Sequence, residues 1–188
     1  DVYKRQEYRF DPVTQAPITF DRDLAIVTLR GSAFMDRSND PLNPTSGYRL
    51  SLSTQPTAVA GEDTVLFLRT EGQATAYLPI QDDAKTVLAG RARIGSIIGG
   101  EELTVPSDRL FYSGGGGSVR GYSYQSINPR LPNNRPRGGL SLFETSIEVR
   151  RDIGEKFQAV AFVDGGAIGF QETPNLTNMR YGCLLYTS

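Results

Sequence analysis

One stretch of the chain combines residue types that could do chemistry: Gly114 to Tyr122, GGGGSVRGY. Gly114, Gly115, Gly116 and Gly117 open backbone conformations closed to other residues. Arg120 then stands between Val119 and Gly121, with Tyr122 and Tyr124 just beyond. A phosphate cradle would need a Lys-Ser/Thr pair and a helix after the glycines, and neither follows. Glu148 and Asp164 could be read as a general acid and base, yet nothing in the sequence builds a substrate cleft around them. Histidine is absent, which removes the commonest general base. The single cysteine is Cys183, so transition-metal sites and disulfides drop out too. Asp82 and Asp83 read as ordinary turn residues rather than calcium ligands. No Gly-x-Ser-x-Gly elbow occurs in residues 7–182. No enzyme, cofactor or metal site is expected. An arginine beside a glycine run suits a loop that folds back and is held.

The segments that must position these residues are strands. Val65 to Leu78 alternates most clearly. Leu66, Leu68, Thr70, Gly72, Ala74, Ala76 and Leu78 form one face; Arg69, Glu71, Gln73 and Tyr77 lie on the other. Thr86 to Ile98 repeats the pattern, with Arg91 and Arg93 as polar lining. In Leu142 to Arg150, Phe143, Thr145, Ile147 and Val149 oppose Glu144, Ser146, Glu148 and Arg150. Phe157 to Gly166 places Gln158 and Asp164 on one parity; Leu24 to Met35 and Tyr48 to Thr54 complete six long strands. The prolines read as lying in the gaps, because proline cannot donate to a ladder. A thin apolar face opposite a charged one suits strands between lipid and a polar lumen. A soluble β-sandwich or lipocalin-like barrel is the alternative, with the polar face outward. Charged residues make up 22% and the formal net charge is −1, which does not point to nucleic acid. Gly99 to Gly139 is very long for a connection, which usually means function.

The ends read differently. DVYKRQ and CLLYTS can be encoded by the two strands of one adapter-like sequence used in library preparation, so residues 1–6 and 183–188 are expected to be adapter-derived and non-native. Residues 7–182 are then expected to be part of one longer β-barrel domain.

DPLNPTSGYRLSL (40–52), AYLPIQDDAKTVLAGRARIG (76–95), RLFYSGGGGSVRGYSYQSINPR (109–130), GGLSLFETSIEVRRDIG (138–154) and AVAFVDGG (159–166) follow one another in this order. Together they resemble the barrel of the outer-membrane assembly and two-partner secretion superfamily. Within it the wording is most like TamA-type barrels, with BamA-type barrels next. The resemblance implies an all-β fold: part of an antiparallel transmembrane barrel of about sixteen strands, in the bacterial outer membrane. It implies that the 99–139 loop enters the lumen from outside as a plug. Arg120, with Gly121 and Tyr122, would anchor that loop to wall carboxylates matched by Glu148 and Asp164, and Tyr122 would pack beside the arginine. Gly114 to Gly117 would be the loop hinge. Asp40, Pro41, Leu42, Pro44 and Gly47 would form a structural periplasmic turn. The implied partners are outer-membrane lipid, unfolded outer-membrane clients such as autotransporters, and a TamB-like periplasmic protein anchored in the inner membrane. A general insertase and a two-partner secretion transporter stay open beside it.

Overall fold

The computed structural model describes residues 2–10, 17–61, 64–80, 85–102, 104–154 and 157–187, with side chains from residue 25 onward. Asp82 and Asp83 lie outside the described residues. The period-two segments fold into one antiparallel sheet. Its strands are β1 (Val2–Phe10), β2 (Pro17–Thr28), β3 (Gly31–Asp36), β4 (Gly47–Ala60), β5 (Val65–Pro79), β6 (Thr86–Ile98), β7 (Ser141–Ile153), β8 (Phe157–Gly169) and β9 (Arg180–Thr187). The order β1-β2-β4-β5-β6-β7-β8-β9 is an open path, with β3 also paired to β4. One three-residue 3-10 turn, Leu176–Asn178, sits between β8 and β9.

Two expectations need correction. Pro17 opens β2 and Pro79 ends β5, and Pro56 does not fall in a gap at all; it lies inside β4. It pairs with Leu68 of β5 on one side. On the other its carbonyl accepts from the Leu29 N–H at 3.1 Å. A strand residue presents its N–H and C=O along the same edge, so the missing donor faces Leu29, where β2 gives way to β3. Thr28 pairs Thr57 and Gly31 pairs Thr54, one register across the break. β2 and β3 are therefore a single stave interrupted opposite a proline. The count of six long strands is also low. Among the described residues eight staves are present, the additions being the two edges β1 and β9. β1 includes residues 2–6 and β9 residues 183–187, which the sequence reading set aside.

The two faces follow the alternation. Leu50, Leu52, Leu66, Leu78, Ile94, Ile147 and Val163 stand exposed on one face. Arg69, Glu71, Arg93, Glu144, Glu148 and Asp164 stand on the other, where they pair with one another and with the loop between β6 and β7. A soluble sandwich would bury the apolar parity; this sheet leaves it outward, as a lipid-facing wall does. The inner face is not uniformly polar. Near its long-loop end Phe67, Ile97, Leu142 and Ile168 meet Val105, Leu110, Phe111 and Leu140, and this is the hydrophobic core. The core thus lies between wall and loop. Charges occupy the middle of the wall, and three shorter connections close the opposite end: 37–46, the β5–β6 turn and the β7–β8 turn.

The outer face yields a prediction for the full-length barrel. Ala74, mid-strand and outward in β5, should not tolerate arginine. Ala74→Arg is expected to cost about 2–4 kcal/mol of bilayer folding free energy, whereas Gln73→Arg, one residue away and lumen-facing, should cost little. Equilibrium folding into liposomes measures both, and equal costs would contradict this assignment of faces.

Candidate functional site: a loop docked on the inner wall

The β7–β8 register builds a socket from four inward side chains. Ser146 pairs directly with Asp164, and Glu148 with Phe162, on adjacent inward rungs. Arg120 fills it. Its Nε donates to Asp164 Oδ2 at 2.8 Å and its Nη2 to Asp164 Oδ1 at 2.9 Å. Nη2 also reaches Ser146 Oγ at 3.0 Å, and Nη1 donates to Glu148 Oε2. The Arg120 backbone N–H adds a bond to Asp164 Oδ2 at 2.9 Å. Ser146 Oγ donates to Asp164 Oδ1 at 2.6 Å, so the fully buried carboxylate is satisfied from both sides. The Phe162 ring lies under the guanidinium, 3.5 Å from Cζ to the ring centroid. The hydrogen bond to Asp164, then that to Glu148, raises the Arg120 guanidinium above its ordinary value, so it stays charged at any working pH. Charge-assisted bonds of this kind are worth about 1.5–3 kcal/mol each.

Of the residues named from sequence, Arg120, Glu148 and Asp164 come together. The Tyr122 hydroxyl donates to the Tyr181 carbonyl of β9 at 3.1 Å, and the ring under the guanidinium is that of Phe162. Gly121, at φ +86, turns the chain past Gly182, where a Cβ would stand 2.3 Å from the Arg120 carbonyl. The four hinge glycines are not equivalent. Gly114 and Gly115 hold φ near +110, whereas Gly116 and Gly117 have normal φ and open space around a notional Cβ. The close approach of loop to wall depends on wall glycines instead. A Cβ on Gly95 would meet the Phe111 ring at 2.4 Å, and one on Gly166 would meet Val119 Cγ2 at 2.7 Å.

Glu144 was missed as a loop partner. It is fully buried one inward rung beyond Ser146, and it gathers both ends of the glycine run. Ser113 Oγ donates to its Oε1 at 2.7 Å, Ser118 Oγ donates to the same oxygen, and Arg93 Nη1 reaches Oε2 at 3.2 Å. Arg91 donates to the carbonyls of Gly117 and Ser118. Its inward parity was the only signal available. Inside the loop, Asn128 ties three passes of chain together. Its Oδ1 accepts from Ser113 N at 2.8 Å, and its Nδ2 donates to the carbonyls of Phe111 and Arg137.

The turn before β4 is closed by its own hydrogen bonds. Asp40 Oδ1 accepts the backbone N–H groups of Leu42 and Asn43. These bonds, Asn43's foremost, hold the Asp40 carboxyl below the ordinary carboxylate range. Gly47 has φ +96, and a Cβ there would lie 2.1 Å from the Arg37 carbonyl, so only glycine fits. Arg49 donates to the carbonyls of Asp40 and Pro41 at 3.0 and 2.9 Å. Leu42 is exposed at the tip, while Pro44 is buried.

Comparison with known proteins agrees with this architecture. The fold is similar to "The crystal structure of BamA from Haemophilus ducreyi lacking POTRA domains 1-3", with a TM-score of 0.74 at 17% sequence identity. The match covers 96% of this chain and 39% of that one, so this chain spans well under half of the solved protein. The Omp85 superfamily domain matches residues 4–182. The chain therefore belongs to the Omp85 superfamily, whose barrels reside in the bacterial outer membrane.

Proposed function

We propose that this chain is wall and plug of an outer-membrane protein assembly or translocation barrel, and that it is TamA-like within its family. The observation that carries the reading is the seating of Arg120 on the β7–β8 socket, inside a sheet whose other face is apolar and exposed. In this reading the 99–139 loop enters from the extracellular side and Arg120 is its anchor, with Glu148 and Asp164 as wall partners. The turn holding Asp40 to Gly47 is periplasmic. Elsewhere in the full barrel an exposed strand edge would pair with an incoming client strand and exchange backbone hydrogen bonds register by register. Autotransporter-type barrels are the proposed clients, with a TamB-like partner on the periplasmic side. Residues 1–6 and 183–188 remain proposed as adapter-derived.

The test uses the full-length protein in liposomes, offered three substrates separately: an autotransporter barrel, a porin, and a soluble two-partner exoprotein. Selective insertion of the autotransporter supports the TamA-like reading. Equal insertion of the porin makes it a BamA-like general insertase, and export of the exoprotein alone makes it a secretion transporter. Acceleration of none of the three would end the assembly reading.

A further inference from the structure

The short-turn end of the wall holds an arginine that the anchor does not use. Arg150 is inward on β7, one rung beyond Glu148. Its guanidinium end is committed elsewhere: Nη1 donates to Asn43 Oδ1 at 3.0 Å and Nη2 to the Pro44 carbonyl at 2.6 Å. Both acceptors belong to the 37–46 turn, which therefore reaches from β4 past β5 and β6 to β7. That is three strand spacings, roughly 14 Å along the wall. Tyr77 of β5 lies beneath the crossing, with Arg49 and Arg150 each 5.6 Å from its ring centroid.

The third nitrogen of the Arg150 guanidinium is the telling one. Nε is buried and makes no hydrogen bond among the described residues. It stands 3.6 Å from Glu148 Oε1, within ion-pair range but beyond hydrogen-bonding distance, while the other oxygen of that carboxylate takes Arg120. Leaving a buried donor unsatisfied is costly, so a small shift of Arg150 toward Glu148 would relieve it. The turn's two bonds hold Arg150 back from that shift.

We propose that Arg150 is a positioning residue that couples the 37–46 turn to the loop anchor. With the turn in place, Arg150 is held off and Glu148 serves Arg120. With the turn displaced, Arg150 draws the Glu148 carboxylate toward itself and away from Arg120, and the loop loosens. The coupling runs from one mouth of the lumen to the plug through Asn43, Arg150, Glu148 and Arg120. It rests on the anchor reading given above.

The experiment places a single cysteine at Ser126 in the loop of the full-length protein and measures its labelling rate by a membrane-impermeant maleimide. Heat-modifiable migration on gels checks that each variant is a folded barrel. Arg120→Lys, which cannot fork, should raise labelling at least tenfold. Asn43→Ala, which removes the turn's acceptor for Arg150 Nη1, should raise it about three- to tenfold. Asn43→Ala should have no effect in an Arg150→Met background. Should Arg150→Met fail to fold, Glu148→Gln serves as the background, and Asn43→Ala should again be silent there. Unchanged labelling in Arg120→Lys would sink the anchor reading and the coupling with it. An effect of Arg120→Lys without any effect of Asn43→Ala would sink the coupling alone. So would an Asn43→Ala effect that persists in the background used.

Discussion

Arg120→Glu in the full-length protein should slow client assembly by two orders of magnitude or more while leaving a barrel that still inserts. The substitution removes the fork onto Asp164 and the bond to Glu148, and it sets a third carboxylate against two. Two charge-assisted bonds at about 1.5 kcal/mol each already shift the docked-to-undocked ratio more than a hundredfold. Breaking a buried pair by removing one partner costs roughly 3–5 kcal/mol, because the other charge is left uncompensated. The wall itself should survive. Glu148 and Asp164 lie on strands paired along their whole length, and that ladder does not need Arg120. Arg120→Lys should fall between, since an ammonium keeps the charge but cannot fork. Single-turnover client insertion, read beside heat-modifiable migration, separates a loop defect from a folding defect. Assembly by Arg120→Glu at the wild-type rate would rule out the anchor.

Gly166→Val should evict the loop without touching any charged residue. A Cβ at Gly166 would stand 2.7 Å from Val119 Cγ2, 2.8 Å from Ser113 Oγ and 3.3 Å from Ile127 Cδ1. All three neighbours belong to the loop, so the strain falls on the plug. Overpacking of a close-packed site costs typically about 1–3 kcal/mol, and valine adds two methyls beyond that Cβ. The expected result is a loop cut by protease at least tenfold faster in an otherwise intact barrel. Gly90→Val is the control, because a Cβ there meets nothing within 4 Å. Equal protection of the two variants would mean that the loop does not lean on Gly166.

Much of this was legible in sequence because strands encode their faces locally. Leu66, Leu68 and Leu78 against Arg69 and Glu71 identify a wall with an apolar outside before any partner strand is known. The same parity places Glu148 and Asp164 inward. Register is a different matter. That Ser146 sits opposite Asp164, and Phe162 opposite Glu148, depends on how the β7–β8 turn aligns two strands. Nothing in either segment alone states it. The loop hides more, because its partners are remote. Ser113 and Ser118 read as ordinary loop serines until the fold brings Glu144, 31 and 26 residues away, between them. Pro56 misled for a related reason. A strand accepts proline where the neighbouring ladder is interrupted, and that interruption at Leu29 and Arg30 is a property of a pair of strands.

The direction of the anchor along the chain has a consequence for biogenesis. Arg120 leaves the ribosome before Glu148 and Asp164, the acceptors it needs, and those acceptors become a socket only when β7 and β8 have zipped together. Consecutive staves here pair with their neighbours in sequence, so the wall can close hairpin by hairpin with short loops to order. The anchor must wait, since its socket does not exist until the two strands after the loop are in place. Plug docking is then a late event whose rate reports that the wall has been built. A nascent barrel stalled before β8 would carry its arginine unpaired, in a form quality-control proteases could recognise.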